Sequence, residues 1–275
     1  MSTRDEWGWL GRALRSVLDS DLRRWGGLRL VDAFIGPRYS YVELEGGWCG
    51  IAYSPRETGG VVEELEHATP RYLARLVERG LGGGAASLAL AAINAATMAW
   101  IYETPDPPII IGTRLSDFIE LRSDDAVAVI GFMRGVVEEL ASRASRVYVI
   151  ELSEELRREA STTSGVEVLG IEEGMEVLPR VSVVVATGSA LLYPAIFRRQ
   201  LAKARNARER VIVGPTSSLH PRLARLLGLT GLGGVYIDPQ LCRILRWHTA
   251  AGGGIHSLRR RGSKAPLLPR FFARA

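Results

Sequence analysis

Lysine is nearly missing from this 275-residue chain: only Lys203 and Lys264 occur, which leaves 33 arginines among 35 basic residues. Such a bias fits a thermophile or GC-rich coding, and it selects no function. Cysteine is almost as scarce. Two residues, Cys49 and Cys242, cannot make the framework of a small secreted domain, and they form no CxxC motif, so each reads as a small buried hydrophobe. Histidine is limited to His67, His220, His248 and His256, and no pair has the H-x-x-x-H or H-E-x-x-H spacing of a zinc site. Only His220 is retained as a metal candidate, because it follows a Ser-Ser loop; the helix-start reading is the stronger of the two. No Ser-His-Asp or Cys-His triad can be named. No run reaches the roughly 20 apolar residues of a membrane span, and MSTRDEWGWLGRALRS has no signal-peptide core. The expectation is therefore a cytoplasmic protein without a membrane partner.

What is present is ordinary for a globular chain: 47% hydrophobic and 24% charged residues. The net charge of +5 hints at nucleic acid, but its distribution argues otherwise. Residues 255–275 carry Arg259, Arg260, Arg261, Lys264, Arg270 and Arg274 without an acid, and removing them leaves the body near −1. Nucleic acid is thus not the expected partner. The paired Phe271 and Phe272 are unusual for a solvated tail, and docking on the body or on a second copy in a homo-oligomer is the rival reading.

Hydropathy patterning divides the chain in two. Residues 5–24 form an amphipathic helix. LRLVDAFIG (28–36), SYVELE (40–45) and WCGIAYS (48–54) read as antiparallel strands, the last two joined at Glu45-Gly46-Gly47. Helices follow at 70–79 and at 85–101, the second apolar nearly all round and hence buried. The run Thr104-Pro105-Asp106-Pro107-Pro108 stops any helix and marks a boundary. Beyond a short helix near 114–121, strands are expected at 126–131, 146–151, 166–170, 182–187, 210–214 and 234–238. Helices fit between most of them, at 134–143, 153–160, 191–205, 219–227 and 239–250. That alternation predicts a doubly wound, mostly parallel α/β sheet. With strand order 3-2-1-4-5-6, the strands ending at Gly131 and Thr187 flank a ligand crevice. The expected organisation is a small α+β domain (1–108), a Rossmann-like domain (109–254) and a basic tail (255–275).

The candidate site residues lie around that crevice. Gly131-Phe132-Met133-Arg134-Gly135 is not G-x-G-x-x-G, which weighs against a nucleotide-type cofactor. Glu151, twenty residues on, stands where an acid would take ribose hydroxyls of a dinucleotide or S-adenosylmethionine, or else merely precedes a helix capped by Ser153. Thr187-Gly188-Ser189 and Gly214-Pro215-Thr216-Ser217-Ser218 each end a strand and open a helix, which suits a phosphate or carboxylate, although such residues also cap helices with no ligand. Asn94 lies in the apolar helix; a buried amide requires partners, either a neighbouring loop or a ligand in an interdomain cleft.

Several segments resemble a known family. VVVATGSALL, ARNARERVIVGPTSSL, GLGGVYIDP and AAGGG are similar to the Rossmann-like domain of the heavy-metal-chelation family. IGPRYSYVEL, CGIAYS and SLALAAINAA resemble the enolase-N-terminal-like domain that precedes it. The resemblance covers about residues 10 to 254. It implies a cleft between the domains that chelates a divalent or heavy metal or takes a small ligand. Asn94, Gly131, Phe132, Glu151, Thr187, Gly188, Ser189, Gly214, Pro215, Thr216 and Ser217 are the matching residues. Leu192-Tyr193-Pro194 replaces the small polar turn expected there. Enolase chemistry is not implied, since the barrel that carries it is missing. The function expected is binding of a small anionic or metal-chelating ligand. The alternative is an enzyme using a nucleotide-type cofactor, a methyltransferase or an NAD-type oxidoreductase.

Overall fold

The computed structural model describes residues 3–55, 65, 67–255, 258 and 268–275. Helix α1 (Thr3–Asp19) turns its leucines, Leu10, Leu14 and Leu18, fully into the core. A three-stranded antiparallel sheet follows: β1 (Leu30–Ile35), β2 (Tyr39–Leu44) and β3 (Trp48–Tyr53), in that order. Helix α2 (Pro70–Glu78) starts at Thr69, whose hydroxyl accepts the Tyr72 N–H at 3.1 Å. Helix α3 (Gly83–Glu103) is long and apolar enough to cross a membrane by composition. It is instead a buried spine behind the small sheet, with alanines that let β2 and β3 lie close against it.

The larger sheet has eight strands. Six are parallel: β5 (Ala126–Ile130), β6 (Arg146–Ile150), β7 (Val166–Leu169), β8 (Val183–Thr187), β9 (Glu209–Val213) and β10 (Gly231–Val235). Their spatial order is β7-β6-β5-β8-β9-β10, extended beyond β10 by antiparallel β11 (Arg270–Arg274) and then by the two-residue β4 (Ile110–Ile111). The chain therefore reverses direction of winding between β5 and β8, as the valine-rich, doubly buried strands imply. Short α4 (Leu115–Phe118), α5 (Arg134–Ala141) and α6 (Glu154–Ala160) precede α7 (Ile171–Val177), α8 (Pro194–Lys203), α9 (Pro221–Leu226) and α10 (Cys242–Ala250). One apolar core runs without a break from α1, α3 and the small sheet to one face of the large sheet. A second core fills the opposite face with α4 and α5.

Three expectations need correction. Residues 270–274 are not part of a solvated tail: they form β11, with Phe271 and Phe272 buried at the edge of β10. The basic residues Arg259–Arg261 and Lys264, like His256, lie outside the described residues. The last parallel strand is GLGGV rather than GVYID. Glycine is required there because a Cβ on Gly233 or Gly234 would fall 2.5 Å from the Phe272 ring or 2.7 Å from the Phe271 ring. Finally, Cys49 and Cys242 are not independent hydrophobes; they form a disulfide that joins β3 to the start of α10 across 193 residues. Spacing gave no hint of it, because α10 leaves the large sheet and packs on β2 of the small one.

Candidate functional site

At the carboxyl edge of β5 the chain must turn sharply. Gly131 has φ +84°, and a Cβ there would collide with the Thr187 methyl group. The turn is braced by Glu151, buried at the end of β6. Its carboxylate accepts the Phe132 N–H on one oxygen and the Ser153 N–H on the other, each at 2.8 Å. Arg157 donates to the Glu151 carbonyl at 3.0 Å. The acid thus fastens two loops together, and it does not stand as a free carboxylate. Over it the Arg134 guanidinium lies 5.6 Å from the Phe132 ring centre and pairs with Glu159.

Across the switch point, Thr187 ends β8 half-buried. The Ser189 hydroxyl donates to the Thr187 hydroxyl at 3.2 Å, and among the described residues these two side chains have no other hydrogen-bond partner. Gly188 opens a 3-10 turn (Gly188–Leu192) that presses on the next loop; a Cβ on it would meet the Ser217 nitrogen and Thr216 Cβ at 2.8 Å. Tyr193, 43% exposed, closes the turn before Pro194 starts α8.

The loop after β9 has similar residues and a different environment. Gly214 has φ +114°. Thr216 Oγ1 accepts the Tyr53 N–H from β3 at 2.9 Å. Ser217 Oγ lies 2.8 Å from both the Gly214 and Gly233 carbonyls. Ser218 Oγ accepts the Val235 N–H at 2.9 Å and faces the Pro215 and Val235 carbonyls. All three hydroxyl residues are buried. Asn94 completes the joint: its amide nitrogen sits 2.8 Å from the Ile51 carbonyl, 3.1 Å from that of Thr216 and 3.3 Å from that of Pro215. The buried Oδ1 has no partner among the described residues. Of the two readings of Asn94, the bond to a neighbouring loop is therefore what the geometry displays, and it joins α3 to the loop after β9.

The predicted residues thus separate into two groups. Gly131, Phe132, Glu151, Thr187, Gly188 and Ser189 converge on the switch point. Gly214, Pro215, Thr216, Ser217 and Asn94 form a packed joint beneath β3 and α3. His220 belongs to neither. It caps α9 by accepting the Arg222 N–H on Nδ1 at 3.3 Å and meets Trp100 edge-on at 4.4 Å. Burial pulls its pKa down to about 4, so it is a neutral core group. Among the described residues no three of His, Cys, Asp or Glu come together as a metal site. Sequence reasoning missed Tyr53, whose contribution is a backbone N–H that no side-chain pattern reveals.

Comparison with known proteins is consistent with this architecture. The DUF364 family model matches residues 114–268, and the DUF4213 model matches residues 19–97; both are described as "Putative heavy-metal chelation". A DUF364 protein of unknown function from Pyrococcus horikoshii has a similar crystal structure, with TM-score 0.67 and 21% identity. The match covers 98% of this chain and 100% of that one. Another, from Desulfitobacterium hafniense, gives TM-score 0.65 and 18% identity over 96% and 99% of the two chains. At such identities the likeness concerns the fold. No curated protein matches the chain.

Proposed function

The chain belongs to the DUF364 family, and on that premise we propose that it binds a small anionic or metal-chelating ligand at the carboxyl edge of β5 and β8. One observation carries this reading: at the winding reversal, the Thr187 and Ser189 hydroxyls bond only to each other, whereas those of Thr216, Ser217 and Ser218 are engaged by backbone. Strand-order reversal is where open α/β sheets place ligands. Hydroxyls there can donate to an anion, and both oxygens of the nearby Glu151 carboxylate are engaged by backbone N–H groups.

The family description points to heavy metal. Hydroxyl oxygens are hard donors and match a soft cation poorly. The crevice residues do not fit a directly bound soft metal; a metal would arrive here already held by the anionic ligand. A nucleotide-type cofactor gains no support, because the carboxylate placed for ribose is occupied by Phe132 and Ser153.

The test begins with thermal shifts in inorganic phosphate, pyrophosphate and citrate, since a ligand of the folded state raises Tm. Calorimetric titration of the best of these then compares wild type with Thr187→Val/Ser189→Ala. Hydrogen bonds to a charged group are worth about 1.5–3 kcal/mol, so affinity should fall roughly tenfold to a hundredfold or more. Unchanged affinity in the folded variant would move the site elsewhere.

A further inference from the structure

Cys49 and Cys242 are the only cysteines in the chain, and the fold brings them from 193 residues apart to a Cα separation of 5.7 Å. Cys49 lies on β3. Cys242 opens α10, which crosses the outer face of the small sheet before the chain returns to the large sheet as β11. Other ties also hold α10, whose Leu245 and Thr249 are buried. Arg246 pairs with Asp32 and lies 5.9 Å over the Phe34 ring, and the Tyr41 hydroxyl is 3.4 Å from the Cys242 carbonyl. Both cysteines are buried, at 1% and 3% exposure.

We propose that reduction converts this interdomain staple into a two-thiolate site for a soft divalent d10 cation, and that disulfide and metal exclude one another. Three observations carry the inference. Thiolate sulfur is the donor that soft cations select, and this pair is the one place where two cysteine sulfurs can meet. Among the described residues no cluster of three or more His, Cys, Asp or Glu offers a competing site. Burial selects the charge: two thiolates and a divalent cation sum to zero, whereas a monovalent cation would leave a net negative charge in the core, which is costly. A cation content with two ligands, such as mercury(II), needs no third donor.

The chemistry balances. A dithiol reductant supplies two electrons, its own thiols closing to a disulfide as the Cys49–Cys242 bond opens to two thiols. The cation then displaces one proton from each thiol. Because both sulfurs are covered, reductant and metal enter only as α10 lifts from the sheet, a movement opposed by the burial of Leu245 and Thr249 and by the part-exposed Arg246–Asp32 pair. The site is separate from the β5–β8 crevice, so either can fail without the other.

The experiment equilibrates full-length protein with mercury(II) chloride in excess potassium iodide, which competes for mercury without reducing a disulfide, and measures metal retained after gel filtration. Four samples are compared: oxidised wild type, dithiol-reduced wild type freed of reductant, and reduced Cys49→Ser and Cys242→Ser. A site that engages both sulfurs turns the second bond into an intramolecular one, so reduced wild type should hold the metal at least about a hundredfold more tightly than either variant. Oxidised wild type, the same folded chain, should retain none. Equal retention by oxidised and reduced protein, or retention by reduced wild type no better than by the single-cysteine variants, would overturn the proposal. The comparison within wild type keeps the test valid should a variant fail to fold.

Discussion

The turns at 187–189 and 214–218 are near neighbours in composition and differ in how their hydroxyls are held. Both follow buried parallel strands, both contain glycine with hydroxyl residues, and both open a 3-10 turn. The second is sealed by hydrogen bonds: β3 and α3 touch both turns, but here the three hydroxyl side chains are bonded to backbone and Asn94 anchors the carbonyls. The first stands at the winding reversal, with hydroxyls bonded only to each other. Residue type therefore nominates a loop, and whether its hydroxyls find backbone partners separates the two.

The sharpest way to test the sealed side is through the strand that borders it. Phe271 is fully buried beside Gly234. Phe271→Ala should destabilise the protein by about 3–5 kcal/mol, read as a lower denaturation midpoint; a loss near zero would mean that β11 is dispensable. Asn94→Leu comes next. It removes the donor shared by the Ile51, Thr216 and Pro215 carbonyls, and buried acceptors left unsatisfied cost about 1–3 kcal/mol. Its effect should exceed that of Thr187→Val, which removes no buried backbone partner.

The smallest effect is in pH. His220 is held neutral by burial, with a folded pKa of about 4 against an ordinary value of 6.5. The unfolded chain therefore takes up a proton that the folded chain refuses, so stability is full above the unfolded pKa and falls as pH drops from near 6.5 towards 4. Asp125 acts in the same direction lower down: its hydrogen bond to Arg208 holds its pKa at about 2, so its contribution is lost below the ordinary value of 3.8. Replacing His220 by Gln should flatten the upper part of the profile and leave the lower part. An unchanged profile would contradict the burial of the ring.

Much of this arrangement is legible in the sequence. Runs such as VVVAT and AVAVI read as strands covered on both faces, and strand–helix alternation implies a parallel sheet; the adjacency of β5 and β8 is an assumed strand order that the structure displays. What escapes is long-range pairing. GLGGV looks too flexible for a strand until two phenylalanines from the far end of the chain occupy the space its side chains would fill. Cys49 and Cys242 look unrelated until α10 leaves its own sheet for the other. At the candidate site the residue types were visible, but not that Ser217 and Thr216 face inward while Thr187 and Ser189 do not. That distinction depends on Tyr53 and Asn94, contributed by elements more than a hundred residues upstream.

The central claim is that the open turn, and not the sealed one, receives the ligand. Amide chemical-shift mapping during a titration with inorganic phosphate tests it most directly. Saturable shifts should concentrate at residues 131–133 and 187–190, with 214–218 unmoved. Shifts centred on 214–218, or none that saturate at 187–190, would contradict it.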